Sequence, residues 1–153
     1  AKAIKQAKCV IITVGVAVAN WDTDGYPTHV AVHKSQLMDQ KANYKLISRC
    51  VSYLRIINPD IYVVLTVSPV PIGGSTFKHL NAFTMDCISK SFLRSAVHMV
   101  MSDHIKHVYY WPSFEAVRWF SGHADMKFGD YDGLARHIHP DHIKSITKIF
   151  MKN

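Results

Sequence analysis

The sequence is defined first by what is missing from it. Neither a G-x-S-x-G elbow nor a G-D-S turn occurs in its 153 residues, so no serine carries a recognisable nucleophile signature. Neither G-x-G-x-x-G nor G-x-x-x-x-G-K-[ST] is present, which removes the glycine-rich phosphate cradle and leaves nucleotide chemistry without support. HExxH and paired-cysteine motifs are absent too, so metal chemistry lacks its usual ligand spacing. Cysteine is scarce. The three at positions 9, 50 and 87 are odd in number, widely spaced and set among apolar residues, a pattern that predicts buried free thiols in a reducing compartment such as the cytoplasm. No apolar run approaches the roughly 20 residues of a membrane span, and AKAIKQAKCVIITVG at the start has no signal-cleavage pattern. Acids are outnumbered, 11 against 18 Lys and Arg, for a net charge of +7. The basic residues stand singly from Lys2 to Lys152, with no block and no interleaved Arg–aromatic array, so the pattern predicts a solvated basic surface and not a nucleic-acid site.

What is present fits one globular domain: 48% apolar residues can build a core at this length. CVIITVGVAVA, residues 9 to 19, is β-branched and apolar, which predicts a strand buried on both faces. NWDTDGYP, residues 20 to 27, is turn chemistry. From Asp39 to Ile57 the positions Tyr44, Ile47, Val51, Leu54 and Ile57 recur every three or four residues, and Asn58-Pro59 ends the pattern, so a helix is predicted. IYVVLTV, 61 to 67, reads as a second buried strand. Ile88, Phe92, Ala96, Met99 and Val100 mark a helix over 86 to 101, and HVYYW, 107 to 111, a third strand. Ser113 is a candidate N-cap for a short helix over 114 to 121, with Glu115 set in the favourable field of its first turn. Pro140 suits the first position of a final helix lined by Ile143, Ile146, Ile149 and Phe150. The order β-α-β-α-β-α-α implies an α/β fold with a parallel sheet between helical layers. Ligands in such folds sit beyond the carboxyl ends of the strands. The loops Gly15 to Pro27, Ser68 to Phe77 and Pro112 onward should gather there.

The densest chemistry lies in DYDGLARHIHPDHI, 130 to 143, where His137, His139 and His142 stand near Asp130, Asp132 and Asp141. A His with an orienting carboxylate can serve as the base of a hydrolase. Three imidazoles could instead bind metal, and solvated loop histidines are the plain alternative. Ser75, after Gly73-Gly74, lacks the strand-to-helix setting of a strained nucleophile and reads as a turn residue. Ser89-Lys90-Ser91 is not a Ser-x-x-Lys pair, because adjacent helical positions diverge by about 100°.

Taken in order, IITVGVAVANW (11 to 21), LTVSPVPIGGSTF (65 to 77), SKSFLRSA (89 to 96), YWPSFEAV (110 to 117) and RHIHPDHIKSITKIF (136 to 150) resemble the GSCFA family of the SGNH/GDSL hydrolase superfamily. The resemblance covers nearly the whole chain. It implies a three-layer αβα, flavodoxin-like fold and an ester hydrolase or O-acyltransferase with a serine nucleophile, an oxyanion hole and a C-terminal Asp-x-x-His. His137 matches the family's base, and Asp132 is the carboxylate available to orient it. Gly15, Ser68 and Ser75 would frame the oxyanion site and pocket rim. No metal or cofactor is implied; the partner would be an acylated carbohydrate or another ester.

The resemblance also departs from the family pattern. The family's serine lies on a first strand and loop before anything present here, so 1–153 reads as a single domain from about the third strand onward, with a strand edge left for preceding residues or another chain to complete. Ala17 and Val18 stand where the family has polar residues. Leu134, not Asp, lies three residues before His137, while His139-Pro140 imitates the superfamily His-Pro with Arg136 in the acid's place. A catalytically silent module, serving as a structural or binding part of a larger assembly, is the alternative expectation.

Overall fold

The computed structural model describes residues 2–28, 32–120, 128–129 and 137–152. A short helix α1 (Lys2–Gln6) leads into β1 (Cys9–Val14), then a hairpin of β2 (Val18–Trp21) and β3 (Lys34–Leu37). Helix α2 (Gln40–Ile57), strand β4 (Tyr62–Val67), helix α3 (Ala82–Ser102) and strand β5 (Val108–Tyr110) follow. The chain then runs through α4 (Ser113–Glu115), a π-helical turn (Ala116–Phe120), β6 (Phe128–Gly129), β7 (His137–Ile138) and α5 (Pro140–Phe150).

The central sheet has the order β1-β4-β5 and is parallel throughout, pairing Cys9 with Tyr62 and Val63 with Val108. Parallel neighbours need crossovers, which α2 and α3 supply. Both begin on side-chain caps. Asp39 accepts from the Ala42 N–H and Asn81 from the Thr84 N–H, each at 2.8 Å, satisfying donors that the first helical turn leaves unpaired. Ile47, Val51 and Leu54 of α2 and Leu93, Ala96, Val97 and Val100 of α3 pack with Val63, Leu65 and Val67 of β4 to form the core. On the opposite side of the sheet Trp111 meets Phe150 of α5, with ring centroids 5.0 Å apart, so helices lie on both sides. A three-layer α/β architecture results.

Four expectations need correction. The run 9 to 19 is not one doubly buried strand. It breaks after Val14, and Val18–Trp21 leaves the sheet to pair antiparallel with Lys34–Leu37. Within β1 only Val10, Ile12 and Val14 turn to the core, while Cys9, Ile11 and Thr13 are exposed. The cysteines are free but not buried: Cys9 lies on that open face, and Cys50 and Cys87 lie on outward faces of α2 and α3. Finally, Ser113 does not cap its helix. Pro112 occupies the cap position without a side-chain bond, and the short helix widens into a π turn.

Candidate functional site

The carboxyl edge of the sheet is organised by one polar stripe on α3. Ser89 and Lys90, three and four residues after Asp86, share with it a buried face of the helix. A buried polar group is costly unless paired, and these three find partners in two loops. Ser89 Oγ accepts the Ala17 N–H at 2.7 Å, and Lys90 Nζ donates to the Gly15 carbonyl at 2.7 Å. Both contacts hold the loop after β1. Asp86 Oδ1 accepts the Ile72 N–H at 2.9 Å, and its Oδ2 pairs with Arg118 Nη2 at 2.8 Å. Arg118 in turn donates from Nε to the Pro69 carbonyl at 2.9 Å. The loop after β4 is thereby tied to α3 and to the turn beyond β5.

A second cluster braces the end of β5. Arg94 Nε pairs with Glu115 Oε1 at 2.5 Å, and Tyr110 donates its hydroxyl to Glu115 Oε2 at 2.7 Å. The Arg94 guanidinium also lies 4.5 Å from the centre of the Tyr110 ring. Glu115 thus acts through this ion pair, beyond the helix-terminal field expected of it. Burial, then the hydrogen bond to Glu115, pushes the Tyr110 phenol well above its ordinary range. Beneath it, Ser113 Oγ donates to the Val67 carbonyl at 3.0 Å and lies 2.6 Å from Thr66 Oγ1. Since the one Ser113 proton is committed, Thr66 is the donor in that pair.

Lys90 is the electrostatic exception. Burial strips water from its ammonium and lowers its pKa to about 8, with Asp86 opposing the shift and Arg118 adding to it. Beside this stripe opens a cleft of about 840 Å³. Ile72, Phe83, Phe114 and Trp119 supply apolar wall, and Lys90, Arg94 and Arg118 supply charge.

The residues singled out from sequence are distributed as follows. Gly15 and Ser68 begin adjacent loops, because the Ser68 N–H donates to the Val14 carbonyl at 2.8 Å. A Cβ added at Gly15 would meet nothing within 4 Å, so the space beside it is open. Ser68 Oγ accepts the Val70 N–H at 3.3 Å, and Ser75 Oγ closes a turn on Phe77 through its N–H at 3.1 Å. Both hydroxyls shape turns. His137 is partly buried in β7, paired with Gly129 of β6, and β6 brings Phe128 5.8 Å from the Arg118 guanidinium. Asp130, Asp132, Leu134 and Arg136 lie outside the described residues. His139 caps α5, its Nδ1 accepting the Asp141 N–H at 3.3 Å. Among the described residues, His137, His139 and His142 included, no three metal-ligating groups converge.

Sequence reasoning rejected Ser89 and Lys90 as a catalytic pair without foreseeing their bracing role, and it did not single out Arg118. The available signal was polar residues at helical spacing on the face that α3 turns inward: Asp86, Ser89 and Lys90 share it with Leu93, Ala96, Val97 and Val100.

The comparisons bear on this edge because the pinned loops and the stripe are the same segments that carry the motifs. Neither a curated protein nor a solved structure matches the chain. The model of the GSCFA family matches residues 1–150, and the chain belongs to that family.

Proposed function

We propose that this domain forms the greater part of an SGNH-like acyl-ester site, hydrolysing esters or transferring acyl groups to oxygen, on an acylated carbohydrate or a similar ester. The observation that carries this reading is the cross-bracing of the loops after β1 and β4 by α3 at the carboxyl edge of a parallel sheet, where α/β folds place their ligands. Electrostatic stabilisation of an oxyanion depends on donors held in place beforehand, and such bracing provides that rigidity. His137, on the short strand just before α5, acts as general base, with Asp132 fixing its tautomer and stabilising the imidazolium. Gly15 and Ser68 border the reacting group, and Ser75 shapes the rim.

Among the described residues no serine hydroxyl is hydrogen-bonded to a histidine. On this reading the nucleophile is a serine outside 1–153, as the family resemblance implies, supplied by preceding segments or another chain. The edge position of β1 and the exposure of Cys9, Ile11 and Thr13 support a further strand and covering layer at that side. Hydrolysis of p-nitrophenyl acetate by the natural full-length protein tests the reading. His137→Ala should lower kcat by roughly 10²- to 10⁴-fold, the usual contribution of a general base, and Asp132→Asn should lower it less. Turnover unaffected by His137→Ala removes the proposal.

One observation favours a silent module instead. The Ala17 N–H, at the position where an oxyanion donor would be sought, is already bonded to Ser89 Oγ at 2.7 Å. Absence of turnover and of active-serine labelling in the full-length protein, together with retained folding, would establish that alternative.

A further inference from the structure

We infer that the cleft between α3 and the turn after β5 binds a monoanionic, carboxylate-headed ligand with an apolar body, its head at Lys90 and its body against Phe83, Phe114 and Trp119. His137, Gly15, Ser68 and Ser75 do not line the cleft, and the Lys90 ammonium links it to the loop after β1 through the Gly15 carbonyl.

Charge sets the sign and valence. Three cations, Lys90, Arg94 and Arg118, line the space. The two guanidiniums are matched by carboxylates, Arg94 by Glu115 at 2.5 Å and Arg118 by Asp86 at 2.8 Å. The Lys90 ammonium bonds a carbonyl and, among the described residues, meets no carboxylate within ion-pair distance. It is only 3% exposed. One uncompensated buried cation calls for one negative charge, and an anion beside it would offset the loss of hydration that lowers its pKa. A doubly charged phosphate head would leave a second charge unmatched.

The walls set the body. Phe83 and Trp119 are 89% and 72% exposed, large aromatic surface held at the mouth of a cleft rather than buried in the core. Phe114 stands behind Trp119, with ring centroids 6.5 Å apart, and Arg118 sits 5.7 Å from the Phe114 ring. Aromatic walls ending in a cation suit an alkyl or aryl chain that terminates in a carboxylate. Covering these rings would remove from water apolar area that the folded chain leaves exposed.

Calorimetric titration of the natural full-length protein with octanoate tests the inference, with 1-octanol and acetate as comparators. Octanoate should bind saturably at one site per chain, with octanol and acetate each roughly tenfold weaker or more, since each lacks one half of the recognition. Trp119→Ala and Phe83→Ala change exposed side chains and should each weaken octanoate roughly fivefold while leaving the unfolding midpoint in place. Lys90→Met should erase the preference for octanoate over octanol. Octanol binding as tightly as octanoate, absence of saturable octanoate binding, or unchanged affinity in both aromatic variants would overturn the site. The measurement is independent of ester turnover: octanoate binding without turnover sinks only the ester reading, and turnover without octanoate binding sinks only this one.

Discussion

Lys90 Nζ lies 2.7 Å from the carbonyl oxygen of Gly15, joining positions 75 residues apart in the chain. One residue earlier, Ser89 accepts the Ala17 N–H across 72 residues. Two adjacent side chains of α3 therefore fix the loop after β1.

Removing the Ser89 hydroxyl leaves the Ala17 N–H buried without an acceptor. Ser89→Ala should destabilise the fold by about 1–3 kcal/mol, the usual cost of orphaning a buried donor. Ser91→Ala provides the control, because that hydroxyl is exposed and bonds only the Cys87 carbonyl within its own helix. Urea unfolding of the two variants measures the difference, and equal losses would contradict the pinning role.

Lys90 gives stability a defined dependence on pH. Its pKa falls from an ordinary 10.5 to about 8 on folding, so between these values the unfolded chain binds more protons than the folded one. Stability from this group therefore rises with pH across that window, and the desolvation penalty, on the order of 3 kcal/mol, is fully present below it. The groups facing the ammonium are Asp86, which opposes the shift, and Arg118, which deepens it. Comparing wild type with Lys90→Met by chemical unfolding at pH 7.5 and 9.5 isolates the term. The wild-type stability relative to the variant should grow at the higher pH; a flat or falling difference would show that Lys90 is not desolvated.

The open side of the sheet should be sticky. Ile11 and Tyr109 are 54% and 50% exposed, and among the described residues β1 is an edge strand of the sheet. Exposed edges with apolar faces invite pairing with other chains, and an inserted charge blocks it. Residues 1–153 should associate with rising concentration in analytical ultracentrifugation, and Ile11→Lys should shift the population toward monomer. A monomeric wild type at high concentration would argue against an incomplete sheet.

Local signals explain which parts of the fold could be read in the sequence. Helices α2, α3 and α5 announce themselves through periodic apolar positions, and the Pro140 start and the Asn58-Pro59 stop are carried by single residues. Strand β4 was legible as a β-branched run because both its sides are largely covered. The run from Cys9 to Ala19 misled because its pairing is non-local. β2 joins β3, whose sequence KSQL has no apolar alternation, and β1 keeps one face open although its composition resembles that of a buried strand. The exposure of Cys9 follows from the same open face.

The site was legible only in outline. The loops that meet at the carboxyl edge follow from topology, and the turn roles of Ser68 and Ser75 from the surrounding proline and glycine. The bracing residues were hidden, because Ser89, Lys90 and Arg118 gain their meaning from partners 72, 75 and 49 residues away. Ser113 misled for the same reason: its hydroxyl prefers the Val67 carbonyl and Thr66 of β4 to its own helix.

Fluorophosphonate labelling of the natural full-length protein, followed by mapping of the modified peptide, is the most direct test of the ester-site account. The account predicts one labelled serine outside residues 1–153, with labelling abolished by His137→Ala and by prior unfolding. A folded protein that takes no label, or one that labels equally well after His137→Ala, would contradict it.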